Sequence, residues 1–322
     1  MAVKPGIIPL RPLSLSDIFN AAVGYIRANP KATLGLTTVV VLITQILSLL
    51  LQVGPLAFTG QVGAAGGEEM STPMLLGSLA SAMASALATA LAAILLSGML
   101  TVVVGRAVFG STITIGEAWQ RVRGRLPALL GLSALEVVAA LLLVGVVVAV
   151  IIGVAVAANT TAAVIFGIPL VLALIAALAY LFTALAFAPV AIVLERKPVM
   201  AAVSRSFALV RNHFWRVLGI RLLAAVVAVV VAGAVAVPFS IAGQVLAFGA
   251  STAGPFILAT AITSVGSAIG QIVTAPFTAG VVVLLYTDIR IRAEAFDLVL
   301  QTGAVGTPAG ASTDNLWLTA PR

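Results

Sequence analysis

Long apolar runs alternate along this chain with short stretches that carry almost all of its charge. Six runs stand out: Ala32 to Leu51, Leu75 to Val104, Ala128 to Ile152, Ala162 to Leu194, Val217 to Ala236 and Phe256 to Tyr286. Each is long enough to cross roughly 30 Å of hydrocarbon as a helix rising about 1.5 Å per residue. Two are over-long, which predicts tilt or continuation into interfacial turns. The first starts too late for a secretory leader, lacks a small-residue cleavage site and is followed by further spans, so it reads as a membrane helix.

Composition agrees with the pattern. Apolar residues make up 61% and charged residues 8% of the 322, and mean hydropathy is +1.22, the range of an integral membrane protein. The connections are too short to fold a separate soluble domain. Cysteine is absent, which excludes disulfides and thiolate metal sites. Arginine outnumbers lysine 14 to 3 in an Ala- and Val-rich chain, the composition of a G+C-rich bacterial gene.

The basic residues segregate. Four precede the first span, 4 lie between spans two and three, 6 lie around the junction of spans four and five with Arg221 included, and 3 follow span six. The opposite loops, near 52–74, 153–161 and 248–255, carry only Glu68 and Glu69. By the positive-inside rule both termini are expected in the cytoplasm of a bacterial cell, with the chain in its plasma membrane.

Three segments share a register: "VGYIRANPKATLG" from Val23, "WQRVRGRLPALLG" from Trp119 and "FALVRNHFWRVLG" from Phe207. Arg27, Arg123 and Arg211 each precede a glycine (Gly35, Gly131, Gly219) by eight residues. The expected fold is therefore all-α, with six transmembrane helices in three tandem units of an amphipathic interfacial helix plus a helical hairpin. The units run over about 14–104, 112–194 and 198–286, with a closing segment to 300 completing the membrane domain. Residues 301–322, rich in Gly, Ala, Thr and Pro, read as a disordered cytoplasmic tail whose "NLWL" could touch the membrane or a partner.

Start signals mark the short helices. Ser14 with Asp17 and Thr114 with Glu117 match the capping box, and Pro198 suits a first helical position. Leu15, Ile18, Phe19, Ala22 and Ile26 form one apolar stripe; Ile115, Ala118, Trp119, Val122 and Leu126 form a second, and Val199, Ala202, Val203, Phe207 and Val210 a third. Such helices are expected to lie flat at the inner interface, apolar face toward lipid. Arg27, Arg123, Arg125, Arg211, His213, Trp215 and Arg216 then become candidates for contact with anionic headgroups.

Three stretches carry a family resemblance: "PGIIPLRPLSLSDIF", "KPVMAAVSRSFALVRNHFWRVLG" and the closing "LLYTDIRIRAEAFDL". Together they resemble the bacterial six-span proteins labelled glycerophosphoryl diester phosphodiesterase membrane domain, over nearly the whole chain. The resemblance implies a fold and a membrane location. It implies no activity, because the catalytic domain of those phosphodiesterases needs a cluster of histidine and carboxylate metal ligands, and His213 is this chain's single histidine.

No H-E-x-x-H, G-x-S-x-G or P-loop occurs. The stretch "SRSFALVRNH" opens like a membrane-phosphatase segment, but seven residues separate Arg205 from His213 and Val217 occupies the aspartate's place. No catalytic residue, metal or cofactor is expected, and no nucleic-acid partner.

Glu136 sits well inside span three, at a position occupied by Val40 and Ala224 in the other units. Intramembrane carboxylates face a bundle interior, take a partner or protonate. Arg221, near the start of span five, is the candidate partner. Ala84/Ala88, Gly145/Ala149/Gly153 and Gly266/Gly270 predict close helix contacts. Thr260, Thr263, Ser264, Ser267, Gln271 and Thr274 give span six a polar stripe, suited to interhelical hydrogen bonds or to a cavity lining. Two functions stay open: a non-enzymatic membrane component that organises lipid or supports a membrane partner complex, with a membrane protein or a second copy as partner, and a transporter or proton-coupled carrier using Glu136 and the polar face of span six.

Overall fold

Ser14 and Thr114 open helices in the manner their spacing requires. Each side chain accepts the N–H of the residue three positions on, and Asp17 and Glu117 return to accept the N–H of Ser14 and Thr114. The bonds from Ser14 hold the Asp17 carboxyl below the ordinary aspartate range, with a smaller contribution from Arg11. Pro198 is the cap itself, with extended backbone, rather than the first helical residue.

The computed structural model describes residues 6–9, 11–58, 72–248, 253–296, 298 and 313–318. Its elements are α1 (Leu15–Ala28), a π-helical turn (Lys31–Gly35), α2 (Leu36–Phe58), α3 (Thr72–Val108), α4 (Ile115–Arg123), α5 (Leu126–Ala157), α6 (Thr160–Ala184), α7 (Ala188–Val193), α8 (Val199–Val210), α9 (Phe214–Phe248), α10 (Ala253–Glu294) and a 3-10 turn (Thr313–Leu318). The described residues contain no strand.

Six stretches are long and apolar enough to cross a membrane, and they fall on the runs read from sequence: Lys31–Leu51, Leu79–Val108, Leu126–Ala157, Thr160–Val193, Phe214–Phe248 and Gly254–Glu294. The fourth is helical in two pieces. The chain breaks after Ala184, and Ser206 repairs the break by donating to the Ala184 carbonyl at 2.6 Å and accepting the Phe187 N–H at 3.1 Å. Buried backbone groups left without partners cost about as much as lost hydrogen bonds, so a hydroxyl at this position is a structural requirement.

The centre of the bundle is built by α10 and α3. Of their apolar windows 44% is buried, against none for α5 and 6% for α9, whose side chains face outward. Helices that are apolar all round suit a lipid environment. Contact is most extensive between α9 and α10. There Gly243, Gly266 and Gly270 let the backbones approach: a Cβ on Gly266 would stand 2.6 Å from Phe239 Cβ, and one on Gly243 2.8 Å from the Ala259 carbonyl oxygen. By contrast Gly145 and Gly153 have nothing within 4 Å of an added Cβ. The spacing predicted a packing seam there, and the structure puts those residues on an open face of α5.

The short helices also depart from expectation. Their stripes pack into the protein rather than lying on its rim. Ile18 and Ala22 of α1, Ala118 and Val122 of α4, and Ala202 and Val210 of α8 all belong to the buried core. Phe19 meets Phe277 edge-on at 5.4 Å. The buried Tyr25 donates to the Pro276 carbonyl, and its ring lies where a Cβ on Gly280 would stand. Burial raises the Tyr25 pKa above the ordinary phenol value, so the hydroxyl stays a donor. At the edges of these stripes, Leu15, Ile115 and Trp119 remain exposed. Alternate turns of an amphipathic helix cannot distinguish lipid from an apolar protein neighbour, because both remove the same surface from water.

The polar stripe of span six resolves locally. Thr260, Thr263, Ser264 and Thr274 each donate to the carbonyl four residues back, on their own helix. These four hydroxyls therefore satisfy themselves without bridging helices. Of the tail expected to be disordered, Thr313–Leu318 forms a turn with Trp317 only 3% exposed; residues 301–312 and 319–322 lie outside the described residues.

Candidate functional site

The α10 helix is 42 residues long, about 63 Å at 1.5 Å per residue, far beyond what a bilayer core covers. Its final turns carry the sequence "DIRIRAE", with charges at every second position. Helical geometry sorts these into two i,i+4 pairs, Asp288 with Arg292 and Arg290 with Glu294. Both pairs close at 2.9 Å.

Asp288 is wholly buried and fully engaged. One oxygen accepts the Leu13 N–H at 2.8 Å and Arg292 Nε at 2.9 Å; the other accepts Arg216 Nε at 3.0 Å. Arg216 and Arg292 in turn donate to the Leu13 carbonyl at 2.7 and 3.1 Å. One carboxylate and two guanidiniums thus hold both backbone groups of a single residue, fixing the segment just before α1 to the end of α10 and to α9.

A second node surrounds Glu195, in the turn between α7 and α8. Its carboxylate meets Arg205 at 3.2 Å, Lys197 at 3.6 Å and Arg290 at 3.5 Å, and accepts the Tyr286 hydroxyl. Glu294 meets Arg290 at 2.9 Å and also pairs with Arg205. Burial alone would lower the pKa of Arg205, but the hydrogen bond and charge of Glu294 and the charge of Glu195 outweigh it and push it above the ordinary guanidinium value. The Arg290 side chain is 1% exposed. It donates to the Trp317 carbonyl at 3.3 Å and lies 4.2 Å over the Phe296 ring. Charges taken out of water this far persist only with such complete pairing.

Beside the second node is a cavity of about 240 Å³ lined by Arg106, Arg121, Arg125, Arg196, Gly105 and Trp317, with Val102, Val193 and Leu194 as its apolar wall. A second cavity of about 370 Å³ lies between α3, α7, α9 and α10, with Ser97, Thr101, Thr278 and Arg221 among its lining.

The structure sorts the residues singled out from sequence. Arg27, Arg123 and Arg211 are exposed, and Trp215 is 80% exposed. Arg125 is half-buried on the arginine-lined cavity. Arg216, expected at the headgroups, points inward to Asp288. The buried Nδ1 of His213 has no hydrogen-bond partner among the described residues. Glu136, half-buried on α5, and Arg221 feel each other's charge without a direct salt bridge: Arg221 donates to the Phe182 carbonyl at 2.6 Å and stacks 3.9 Å over the Phe182 ring. The carbonyl stands on the break-prone end of α6, where it can accept an outside donor.

Sequence reasoning missed both carboxylate nodes. Ending the sixth span at Tyr286 left "DIRIRAE" as a closing segment, although its i,i+4 opposite charges were a visible sign that the helix continues. Nothing local marks Leu13, Glu195 or Arg216 as their partners. No group of three or more His, Cys, Asp or Glu suited to a metal occurs among the described residues.

An all-helical chain with six helices of membrane-crossing length and a dense ion-pair cluster at one end is compatible with a multi-pass membrane protein. In particular, the chain belongs to the family described as a domain of unknown function, DUF7847, which matches residues 13–289. No curated protein and no solved structure matches it.

Proposed function

We propose that this protein is a non-enzymatic, multi-pass component of a bacterial plasma membrane, which organises anionic lipid or supports a partner complex through its basic end. The observation that carries this reading is how the charge is spent. Asp288, Glu195 and Glu294 are enclosed by arginines in ties between distant segments, whereas Arg27, Arg123, Arg211 and Trp215 are left exposed. Inward carboxylates and outward guanidiniums suit a scaffold that meets headgroup phosphates, each basic residue contributing about 1 kcal/mol near an anionic surface.

The same proposal places both termini in the cytoplasm, on the segregation of lysine and arginine. It also takes α1, α4 and α8 as equivalent parts of three tandem units, supported by the shared register of Arg27, Arg123 and Arg211 and by the capping boxes of α1 and α4. Kinship with the six-span membrane domain of glycerophosphodiesterases belongs to it too, as a likeness of architecture without that activity. The test is binding of the purified protein to nanodiscs with and without anionic lipid. Neutralising Arg27, Arg123 and Arg211 one at a time should weaken the anionic preference modestly and by similar amounts. Loss of all preference with one substitution and none with the others would oppose the reading.

A second reading, a proton-coupled carrier, draws on the cavity of about 370 Å³ bordered by Arg221. The hydroxyls of Thr260, Thr263, Ser264 and Thr274 weaken it, since each already donates to its own helix. Proton-coupled uptake into proteoliposomes that Glu136→Gln abolishes would favour it.

A further inference from the structure

Span four is interrupted where a cavity opens. Beyond Ala184 the Ala186 N–H turns back to the Thr183 carbonyl at 3.2 Å, so the Phe182 carbonyl lacks the donor that an unbroken helix would supply. Arg221 Nη1 takes that place at 2.6 Å. The break and Arg221 then share one space, since Ala186, Pro189 and Val190 border the cavity of about 370 Å³ together with Arg221. Irregular backbone at membrane depth is tolerated where it is enclosed by protein or lines a cavity, and in transporters such places hold the substrate.

The lining is mostly apolar and holds one charge. Thr101 and Thr278 turn their hydroxyls to carbonyls of their own helices, and no carboxylate is among the lining residues. Arg221 lies seven residues into α9, about 10 Å along the helix. It feels the charge of Glu136, yet among the described residues no carboxylate comes within ion-pair distance of it, and its hydrogen bond runs through Nη1 alone. Nε and Nη2 remain, the edge of a guanidinium that meets a carboxylate with parallel bonds. Arg205 presents the same edge to Glu195, at 3.3 and 3.2 Å. Charged groups at such depth face a bundle interior or a cavity and mark candidate sites.

We propose that this cavity binds a long-chain fatty acid, with its carboxylate on Nε and Nη2 of Arg221 and its chain along α3. The lining follows α3 from Thr101 to Ala93, eight residues or about 12 Å, and Ala93 and Ser97 are exposed at its edge. A chain can therefore enter sideways from the bilayer and continue into it. Leu96, Leu100 and Val282 supply apolar wall for the chain, and the single guanidinium supplies the complement to an acidic head. At about 370 Å³ the space lies at the low end of the roughly 300–1,000 Å³ of ligand pockets, which suits one chain under a small head rather than a two-chain phospholipid. The proposal goes beyond the basic surface described above and does not depend on it.

Photoaffinity labelling tests it, using the full chain in phosphatidylcholine nanodiscs and a palmitate analogue with a diazirine in its chain, the labelled peptides being mapped by mass spectrometry. Saturable labelling of residues 93–101, competed by palmitate but not by methyl palmitate, is the expected result. Arg221→Gln keeps an amide donor for the Phe182 carbonyl and should lower this labelling roughly tenfold, whereas Val229→Phe, at an exposed position of α9, should leave it within about twofold. If Arg221→Gln fails to fold, Ala93→Phe at the exposed edge should still lower it severalfold. Glu136→Gln removes a charge that competes for the guanidinium and should leave labelling at least as strong; its loss would overturn the assignment to Arg221. The site also falls if no labelling saturates, if methyl palmitate competes equally, or if phosphatidic acid competes and palmitate does not. Arg27, Arg123 and Arg211 are not among the lining residues, so loss of the anionic-surface preference and loss of this labelling are separate outcomes.

Discussion

The Leu13 N–H donates to Asp288 across 275 residues of sequence, at 2.8 Å. Arg216 and Arg292 close the arrangement by donating to the Leu13 carbonyl. The segment leading into α1, α9 and the end of α10 are thus one electrostatic unit, and its centre is a carboxylate with no exposure to solvent.

Removing that carboxylate should be among the most damaging single changes in the chain. Asp288→Ala leaves two guanidiniums and a backbone N–H without their partner, a loss of about 3–5 kcal/mol for a buried pair broken on one side. Unfolding by SDS in mixed micelles measures it. A shift under about 1 kcal/mol would mean that water replaces the carboxylate and that the node is not structural.

Glu195 and Glu294 share Arg205 and Arg290, so their substitutions should not add. A double-mutant cycle of Glu195→Gln and Glu294→Gln is expected to show a coupling energy of about 0.5–3 kcal/mol. Simple additivity would separate them into independent pairs.

Ser206→Ala removes one hydroxyl that serves both sides of the α6–α7 break. It is expected to cost about 1–3 kcal/mol through the unpaired Phe187 N–H and Ala184 carbonyl. Ser206→Thr retains the hydroxyl and should recover part of the loss in the same unfolding assay.

Gly266→Val should separate α9 from α10, since the new side chain meets Phe239. Gly145→Val has open space before it and should leave stability within about 0.5 kcal/mol. Thermal inactivation in detergent compares the two, and equal sensitivity would contradict the observed packing.

The topology is open to cysteine labelling, because the chain has no native cysteine. Ala158→Cys, between α5 and α6, should react with an impermeant reagent in intact cells, and Ser204→Cys, on α8, should react only after permeabilisation. The reverse pattern would invert the orientation given by the basic residues.

The six spans and the ends of α1 and α4 were legible because each depends on neighbours in sequence. A run of about 20 apolar residues is long enough to cross a bilayer whatever surrounds it, and a capping box such as Ser14 with Asp17 closes within four residues. The charge segregation was likewise countable from residue order alone.

What the sequence left undecided was which apolar face meets protein and which meets lipid. Ile18, Val122 and Val210 read as membrane-facing and are in the core; Gly145 and Gly266 read alike, and only the second has a helix against it. Both surroundings are equally free of water, so hydrophobicity carries no signal to separate them. The ion-pair nodes were hidden for a different reason. Their partners, Leu13 with Asp288 and Glu195 with Arg290, are brought together from distant positions by the packing of α1, α8 and α9 around α10. Glu136 and Arg221, two opposite charges at similar depth, do feel each other's charge, yet the direct hydrogen bond of Arg221 goes to the Phe182 carbonyl. Segment-level periodicity and charge order were determined by the sequence itself, whereas partnership between side chains was decided only when tertiary packing set their distances.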